Sequence, residues 1–356
     1  MRLIAAFLAV AIYLPAGSVF AQGDEAPIRI FILAGQSNME GKAQNKLLEF
    51  QATNPATAEL FAPYRDGDEW AVRNDVFINY LNRRGPLTIG YGSRDRTGCE
   101  LAFGTAMGNH FDEPVLLIKT AWGGHSLYKL FRSPSAGMPS DAFLAAELAQ
   151  RQERVRKQNE DRNQSNPLPT MDDIVAEYGS SYRNMLDEVR TTLAELDERF
   201  PELAGRDIEI AGFVWFQGWN DQYGDLAPGE YQSNMEHFIN DVRSDLDVPD
   251  LPFVIGAMGQ NGSSEPKGNM LVVRNAQLAM NDIPAFDGNV RTILTDVLVD
   301  TAAEEQYPTW RDNIEAWERV GSDRGYHYLG SAIWFNRIGE AFAQTMLELM
   351  GEAADE

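Results

Sequence analysis

A strand-like apolar run that ends abruptly at a small-residue turn is the most constraining feature of this sequence. Residues 28–34 are apolar and partly β-branched, and Gly35-Gln36-Ser37-Asn38-Met39 follows at once. Such a run is typical of a parallel strand that is covered on both faces. Ligands of α/β proteins bind at the carboxyl ends of these strands. Ser37 is therefore predicted to lie where a ligand binds, although a serine at this position would also suit an ordinary helix N-cap.

Alternation of apolar runs and helical patterns predicts the fold class. Four more runs are interpreted as buried strands, at 115–120, 208–216, 253–258 and 290–295. Apolar residues at three- and four-residue steps predict helices at 101–110, 141–162, 180–200, 231–246, 270–281 and 331–350. Strands that alternate with helices indicate an α/β protein with a parallel sheet between two helical layers.

Two segments lack this alternation. Residues 42–98 and 297–326 are rich in Gly, Pro, Asn and charged residues and show little periodicity. Long irregular segments in compact domains are usually functional loops. No composition shift marks a domain boundary, so residues 22–356 are expected to form a single domain with these two long loops.

The first 21 residues have the composition of a secretory signal peptide. Arg2 precedes an apolar run at 3–14 that is too short to span a bilayer, and Val19-Phe20-Ala21 fits a cleavage site. We expect cleavage after Ala21 and a secreted or periplasmic protein with no membrane association afterwards. An uncleaved anchor is the alternative.

Charge and cysteine content narrow the possible partners. The formal net charge is -23, which argues against nucleic acid and anionic membranes. Cys99 is the single cysteine, so no intrachain disulfide can form. No group of His or carboxylate residues has metal-ligand spacing, so neither a metal nor another cofactor is expected. The sequence leaves the oligomeric state open.

A serine nucleophile needs a base, and the chain offers four histidines. His110 ends one predicted helix and His237 lies within another, so both are interpreted as structural. His125 comes soon after the strand at 115–120. His327 lies between glycines in Gly325-Tyr326-His327-Tyr328-Leu329-Gly330. Their positions favour His327 over His125 as the base, and His125 then becomes a candidate substrate contact.

Two further turns offer hydrogen-bond donors for an oxyanion. Asn220 follows the strand at 208–216 in Gly218-Trp219-Asn220-Asp221, where a side-chain amide can donate to a developing negative charge. The N–H of Gly98, which precedes a predicted helix, is a second candidate. Ordinary turn formation would also explain both stretches.

Together these stretches resemble the blocks of the SGNH (GDSL-like) hydrolase superfamily. Gly35-Gln36-Ser37-Asn38-Met39 is similar to the first block of its sialate O-acetylesterase and acetylxylan esterase branch, carbohydrate esterase family 6. Gly98-Cys99-Glu100-Leu101, Gly218-Trp219-Asn220-Asp221 and His327 follow in the family order. The resemblance implies a three-layer α/β/α sandwich with a flavodoxin-like, five-stranded parallel sheet. It also implies that Ser37 is the nucleophile and that Ser37, Gly98 and Asn220 form the oxyanion hole.

The chain departs from the family pattern in two places. The family usually has Asp three residues before the histidine, where this chain has Arg324, and the nearest acid is Asp323. Either Asp323 or a backbone carbonyl is therefore expected to orient His327. The branch often has Gln-Gly-Glu in the third block, where this chain has Gln217-Gly218-Trp219. This second departure concerns the substrate.

The predicted function is that of an exported serine esterase that removes O-acetyl groups from a carbohydrate. Gln36, Gln217, Trp122 and His125 are the candidate substrate-binding residues. The loops 42–98 and 121–139 also hold aromatic residues suited to sugar stacking and basic residues suited to an anionic glycan. The alternatives are a carbohydrate-binding protein without turnover, and an esterase that acts on lipid, peptidoglycan or another non-carbohydrate ester.

Overall fold

The computed structural model describes residues 26–352. The predicted signal peptide lies outside these residues, so its cleavage after Ala21 stays a prediction. No helix among the described residues is long and apolar enough to cross a membrane.

A seven-stranded sheet runs through the centre of the fold. Its strands are β1 (Ile28–Gly35), β2 (Val76–Tyr80), β3 (Arg83–Pro86), β4 (Val115–Ala121), β5 (Ile208–Phe216), β6 (Phe253–Ala257) and β7 (Val290–Leu294). The strand order is β7-β6-β5-β1-β4-β2-β3, and every pair is parallel except β2 with β3. The five predicted strands are all present, and they follow the flavodoxin-like order.

The sequence-based expectation of five strands was too low by two. Strands β2 and β3 lie within residues 42–98, which were interpreted as an irregular loop. β2 is a short, fully buried run that extends the sheet beyond β4, and β3 closes the edge as an antiparallel partner. Strand β2 is short and is followed by Arg83-Arg84-Gly85-Pro86, so the sequence here has little periodicity that would predict a strand. The pairing of such a short run is decided by the neighbouring strand.

Twelve α-helices connect or flank these strands in the described chain. They are α1 (Ser37–Glu40), α2 (Asn45–Thr53), α3 (Glu100–His110), α4 (Asp141–Arg162), α5 (Met171–Glu177), α6 (Ser180–Ala194), α7 (Leu196–Arg199), α8 (Ala227–Leu246), α9 (Gly268–Leu278), α10 (Thr301–Gln306), α11 (Ile314–Trp317) and α12 (Ala332–Met350). Short 3-10 turns, including Trp219–Gln222 and Gly325–Gly330, lie between them.

Strand β1 shows how the three layers form. Phe31 and Leu33 belong to the core that holds α3 and α12, whereas Ile30 and Ile32 belong to the core that holds α6, α8 and α9. Neighbouring residues of a strand point to opposite faces, so a continuous apolar run is needed to fill both cores. The predicted α/β/α sandwich is confirmed.

The carboxyl ends of β1 and β5 lie side by side and set the position of the site. Gly35 pairs with Phe216 at the end of these strands. A Cβ on Gly35 would lie 2.2 Å from the carbonyl oxygen of Phe216, so only glycine fits there. The adjacent turns that carry Ser37 and Asn220 therefore meet at the point where the strand order reverses, which is the usual ligand site of such sheets.

Candidate active site

An open pocket of about 440 Å³ lies at this edge of the sheet. Ser37, Asn220 and His327 line it together, although nearly 300 residues of chain separate the first from the last. Neither Ser37 Oγ nor His327 Nε2 has a hydrogen-bond partner among the described residues, so both are available to a ligand. The pocket thus holds a hydroxyl, an amide and an imidazole. Acyl transfer on a serine uses such groups as nucleophile, oxyanion donor and base.

Gln36 fixes the orientation of the Asn220 amide. Gln36 Oε1 accepts the backbone N–H groups of Gly218 and Asn220, each at 3.3 Å. Its Nε2 must then face Asn220 Oδ1, which lies 3.4 Å away. Asn220 Nδ2 is left free for the pocket, so the amide presents a donor and not an acceptor.

The His327 loop is tied to both the core and the serine turn. Tyr328 is fully buried, and its hydroxyl bonds to Thr295 Oγ1 at 2.7 Å and accepts the N–H of Gly259 at 3.0 Å. Asn38 Nδ2 donates to the carbonyl of Tyr326 at 3.2 Å. Asn38 follows Ser37 directly, so this bond joins the nucleophile's turn to the histidine's turn.

Asp323 lies beside Nδ1 of His327. Asp323 Oδ1 is 3.2 Å from His327 Nδ1. The contact falls short of full hydrogen-bond geometry, and Nδ1 has no other partner in the described chain. Burial alone would raise the pKa of Asp323, but the neighbouring His327, the backbone N–H of Arg324 and the Arg96 guanidinium outweigh it and lower that pKa to about 2. A charged carboxylate in this place suits an imidazole that gains a proton.

The expectation that Gly98 supplies an oxyanion donor is not supported. Its N–H donates to Glu100 Oε1 at 2.8 Å, and Gly98 is not among the residues that line the pocket. The lining includes Gly123 and Gly124 after β4. The N–H of Gly124 has no partner in the described chain, and a Cβ on Gly124 would lie 3.7 Å from Asn220 Nδ2. Gly124 therefore lies beside Asn220 in the lining of the pocket.

Glu40 holds the turn that carries Gly124. Its Oε1 accepts the N–H of Gly123 at 2.7 Å, and its Oε2 accepts from Lys42 Nζ at 2.5 Å and from Ser93 Oγ at 3.0 Å. Burial raises the pKa of Glu40, but Lys42, Ser93 and Gly123 lower it further than burial raises it. Glu40 therefore stays charged and fixes the turn.

The side chains of the candidate substrate-binding residues either make hydrogen bonds within the fold or lie outside the pocket lining. Gln217 is buried and donates to Gln36 Oε1, to the His125 carbonyl and to Asp221, so its amide is used within the fold. His125 bonds to Ser181 Oγ through Nδ1 at 2.6 Å and stacks on Trp122, and burial lowers the pKa of its imidazole. Neither His125 nor Trp122 lines the pocket, and Gln36 lines it with an amide already bonded.

The aromatic and basic residues of the two loops are mostly engaged inside the protein. Tyr64, Tyr80, Tyr128 and Phe131 are buried under the loops. Lys119 is fully buried against Glu100. Acidic partners likewise hold the basic side chains Arg96, Lys129 and Arg132. The expected stacking surface and anionic-glycan surface on these loops are therefore not supported. The pocket instead has aromatic residues that sequence reasoning missed, namely Trp219, Tyr223 and Tyr326.

Comparison with known families agrees with the acyl-transfer chemistry that the pocket suggests. The family model described as "Carbohydrate esterase, sialic acid-specific acetylesterase" matches residues 27–301. The chain belongs to this carbohydrate esterase family. It is thus a carboxylic ester hydrolase of the O-acetylesterase class, and the recognised resemblance is confirmed. The match includes Ser37 and Asn220 and ends before Asp323 and His327, so for those two the geometry above is the evidence.

The similar solved structures are distant in sequence. A protein from Arabidopsis thaliana has 17% identity and a TM-score of 0.50, with 90% of this chain and 98% of that chain covered. A carbohydrate acetylesterase from Xanthomonas citri has 13% identity and a TM-score of 0.46, with coverages of 91% and 57%. NanS has 12% identity and a TM-score of 0.41, with coverages of 76% and 78%. No curated protein matches the chain.

Proposed function

We propose that this esterase is exported and removes O-acetyl groups from a polysaccharide or a sialic-acid-like sugar through an acyl-enzyme on Ser37. The observation that carries the proposal is the convergence of Ser37, Asn220 and His327 on one pocket in a chain of a carbohydrate esterase family. The signal-like composition of residues 1–21 supports export.

The first half of the reaction forms the acetyl-enzyme. His327 Nε2 takes the proton of Ser37 Oγ, and the oxygen attacks the acetyl carbonyl carbon. Negative charge collects on the carbonyl oxygen, where the N–H groups of Ser37 and Gly124 and Asn220 Nδ2 donate to it. The carbon–oxygen bond to the sugar then breaks, and His327 returns the proton to the sugar oxygen.

The second half releases acetate. His327 takes a proton from water, the resulting hydroxide attacks the acetyl carbonyl, and the same three donors hold the second oxyanion. Collapse of this intermediate breaks the bond to Ser37, which recovers its proton from His327. Asp323 stabilises the imidazolium in both halves, because its low pKa keeps it ionised throughout the neutral range.

Acetate release from a panel of acetylated sugars tests the proposal. Wild-type protein should release acetate from at least one of acetylated xylan, glucose pentaacetate and O-acetylated sialic acid, and Ser37→Ala should release none. A carbohydrate-binding protein without turnover would bind such sugars and release no acetate. A lipid esterase would prefer long-chain acyl esters over all three sugars.

A further inference from the structure

Three aromatic side chains form one side of the catalytic pocket. The ring of Trp219 lies 5.9 Å from that of Tyr326 and 6.3 Å from that of Tyr223, measured between centroids. Trp219 also packs against the core that holds α8 and α9, which anchors the group. Tyr223 is 59% exposed and Tyr326 is 43% exposed, so the rings face solvent at the pocket mouth. We call these three residues the aromatic wall.

The polar tips of the aromatic wall are not engaged by the protein. Among the described residues, Trp219 Nε1 and the hydroxyls of Tyr223 and Tyr326 have no hydrogen-bond partner. A group of aromatic rings with free donors at their edges matches a pyranose, which has an apolar C–H face and hydroxyls around its rim. A long acyl chain would need an enclosed apolar groove, whereas this pocket is open and also has Lys42 and Asn220 in its lining.

Lys42 supplies the polar wall of the pocket. Its ammonium group uses two of three donors on Glu40 Oε2 and Ser93 Oγ. The third N–H is not used by the described residues, and Lys42 belongs to the pocket lining although it is only 9% exposed. Polar groups of the ligand are therefore expected on this side of the pocket.

One ring of the aromatic wall, that of Tyr326, lies beside the histidine. Tyr326 precedes His327 directly, and the two rings meet edge to face with centroids 4.5 Å apart. In acyl transfer the base must reach the oxygen of the departing alcohol, whereas the acetyl oxygen lies at the oxyanion donors. A group that rests on Tyr326 is therefore the alcohol part of the ester, and Trp219, whose ring lies next to that of Tyr326, extends the same surface.

We propose that Trp219, Tyr223 and Tyr326 bind the pyranose ring of the leaving alcohol by stacking and thereby make the esterase selective for sugar esters. This proposal rests on the proposed function and adds the residues that recognise its substrate. It also gives a role to Trp219, which stands where the branch often has Glu.

Two esters that share the acetyl group and differ in the alcohol test the proposal. For wild type, Trp219→Ala and Tyr223→Ala, kcat/KM is measured on glucose pentaacetate and on ethyl acetate. The ratio of the two values should fall about tenfold or more in Trp219→Ala and less in Tyr223→Ala, and Trp219→Phe should restore much of it. Trp70→Ala is the matched control, because Trp70 packs on Phe61 outside the pocket, and it should leave the ratio unchanged.

The outcomes separate the two proposals. With Ser37→Ala inactive, an unchanged ratio in Trp219→Ala would overturn the assignment of the aromatic wall, whether kcat/KM falls on both esters or on neither. A Ser37→Ala variant that still hydrolyses both esters would refute the acyl-enzyme mechanism instead. Binding of methyl glucoside to Ser37→Ala, followed by isothermal titration calorimetry, should weaken when Trp219→Phe is added and weaken further with Trp219→Ala.

Discussion

Arg96 binds one carboxylate oxygen of Asp323, and His327 faces the other. Arg96 Nη1 lies 2.6 Å from Asp323 Oδ2, and His327 Nδ1 lies 3.2 Å from Oδ1. The turn closes because the N–H groups of Ser322 and Asp323 both donate to the carbonyl of Leu329. This closure brings an aspartate four residues upstream, not three, beside the imidazole. The geometry supports Asp323, over a backbone carbonyl, as the group that orients His327.

Arg96→Gln should lower kcat/KM about tenfold at neutral pH, because Asp323 loses the ion pair that holds its carboxylate beside His327. Without the guanidinium, the pKa of Asp323 rises and its carboxylate is free to turn from His327. Asp323→Asn should give a larger loss than Arg96→Gln, and Arg96→Lys should keep most of the activity. A wild-type kcat/KM in Arg96→Gln would rule out this positioning role.

Asn220→Ala should lower kcat by about 10²–10³ with a smaller effect on KM. The amide donates to the oxyanion, which carries its full charge only near the transition state. Asn220→Asp is the matched variant, since it keeps the shape and the contact with Gln36 but removes the donor. A change confined to KM in both variants would make Asn220 a substrate contact instead.

His327→Ala should lose about 10⁴-fold or more in kcat, whereas His125→Ala should stay within a few-fold of wild type. His327 lines the pocket with a free Nε2, but His125 is bound to Ser181 and stacked on Trp122 outside it. Steady-state kinetics on one acetyl ester distinguishes the two histidines. The reverse ranking would return the base role to His125.

Lys119→Met should lower the free energy of unfolding by about 3–5 kcal/mol. Lys119 Nζ bonds to Glu100 Oε2 and to the carbonyls of Glu40 and Tyr91 at 2.8–2.9 Å, and both charged side chains are fully buried. The variant leaves the Glu100 carboxylate buried without its partner. Lys46→Met removes an exposed ion pair with Glu318 and should cost at most about 1 kcal/mol in the same urea titration. Equal costs would contradict the buried-pair argument.

The sequence predicts elements whose signal is local. The five parallel strands and the places of Ser37 and Asn220 follow from apolar runs that end at turns, because the carboxyl ends of parallel strands share one edge. The flavodoxin-like strand order was implied by the family resemblance, and His327 was selected by its place between glycines on a loop. The structure does not support the Gly98 assignment, because its N–H pairs with the side chain two residues later, which a motif does not reveal. A glycine pair directly after a buried strand, as in Trp122-Gly123-Gly124, is the signal that could have indicated the turn that lines the pocket.

Features that depend on distant residues were missed. The three rings of the aromatic wall come from two segments about a hundred residues apart, and each ring alone looks like ordinary core or loop. Gln36 and Gln217 were expected to touch substrate, but their amides satisfy buried backbone groups, which only the folded contacts show. The role of Arg96 likewise depends on a contact across 227 residues.

Trapping the acetyl-enzyme tests the central claim most directly. Wild-type protein is mixed with an acetylated sugar, quenched in acid within the first turnovers and digested, and the peptides are examined by mass spectrometry. Acetylation should appear on Ser37 alone, should be absent from Ser37→Ala, and should persist longer in a variant slowed at Asn220. Acetate release by wild type with no acetylated Ser37, together with an active Ser37→Ala, would contradict the proposed mechanism.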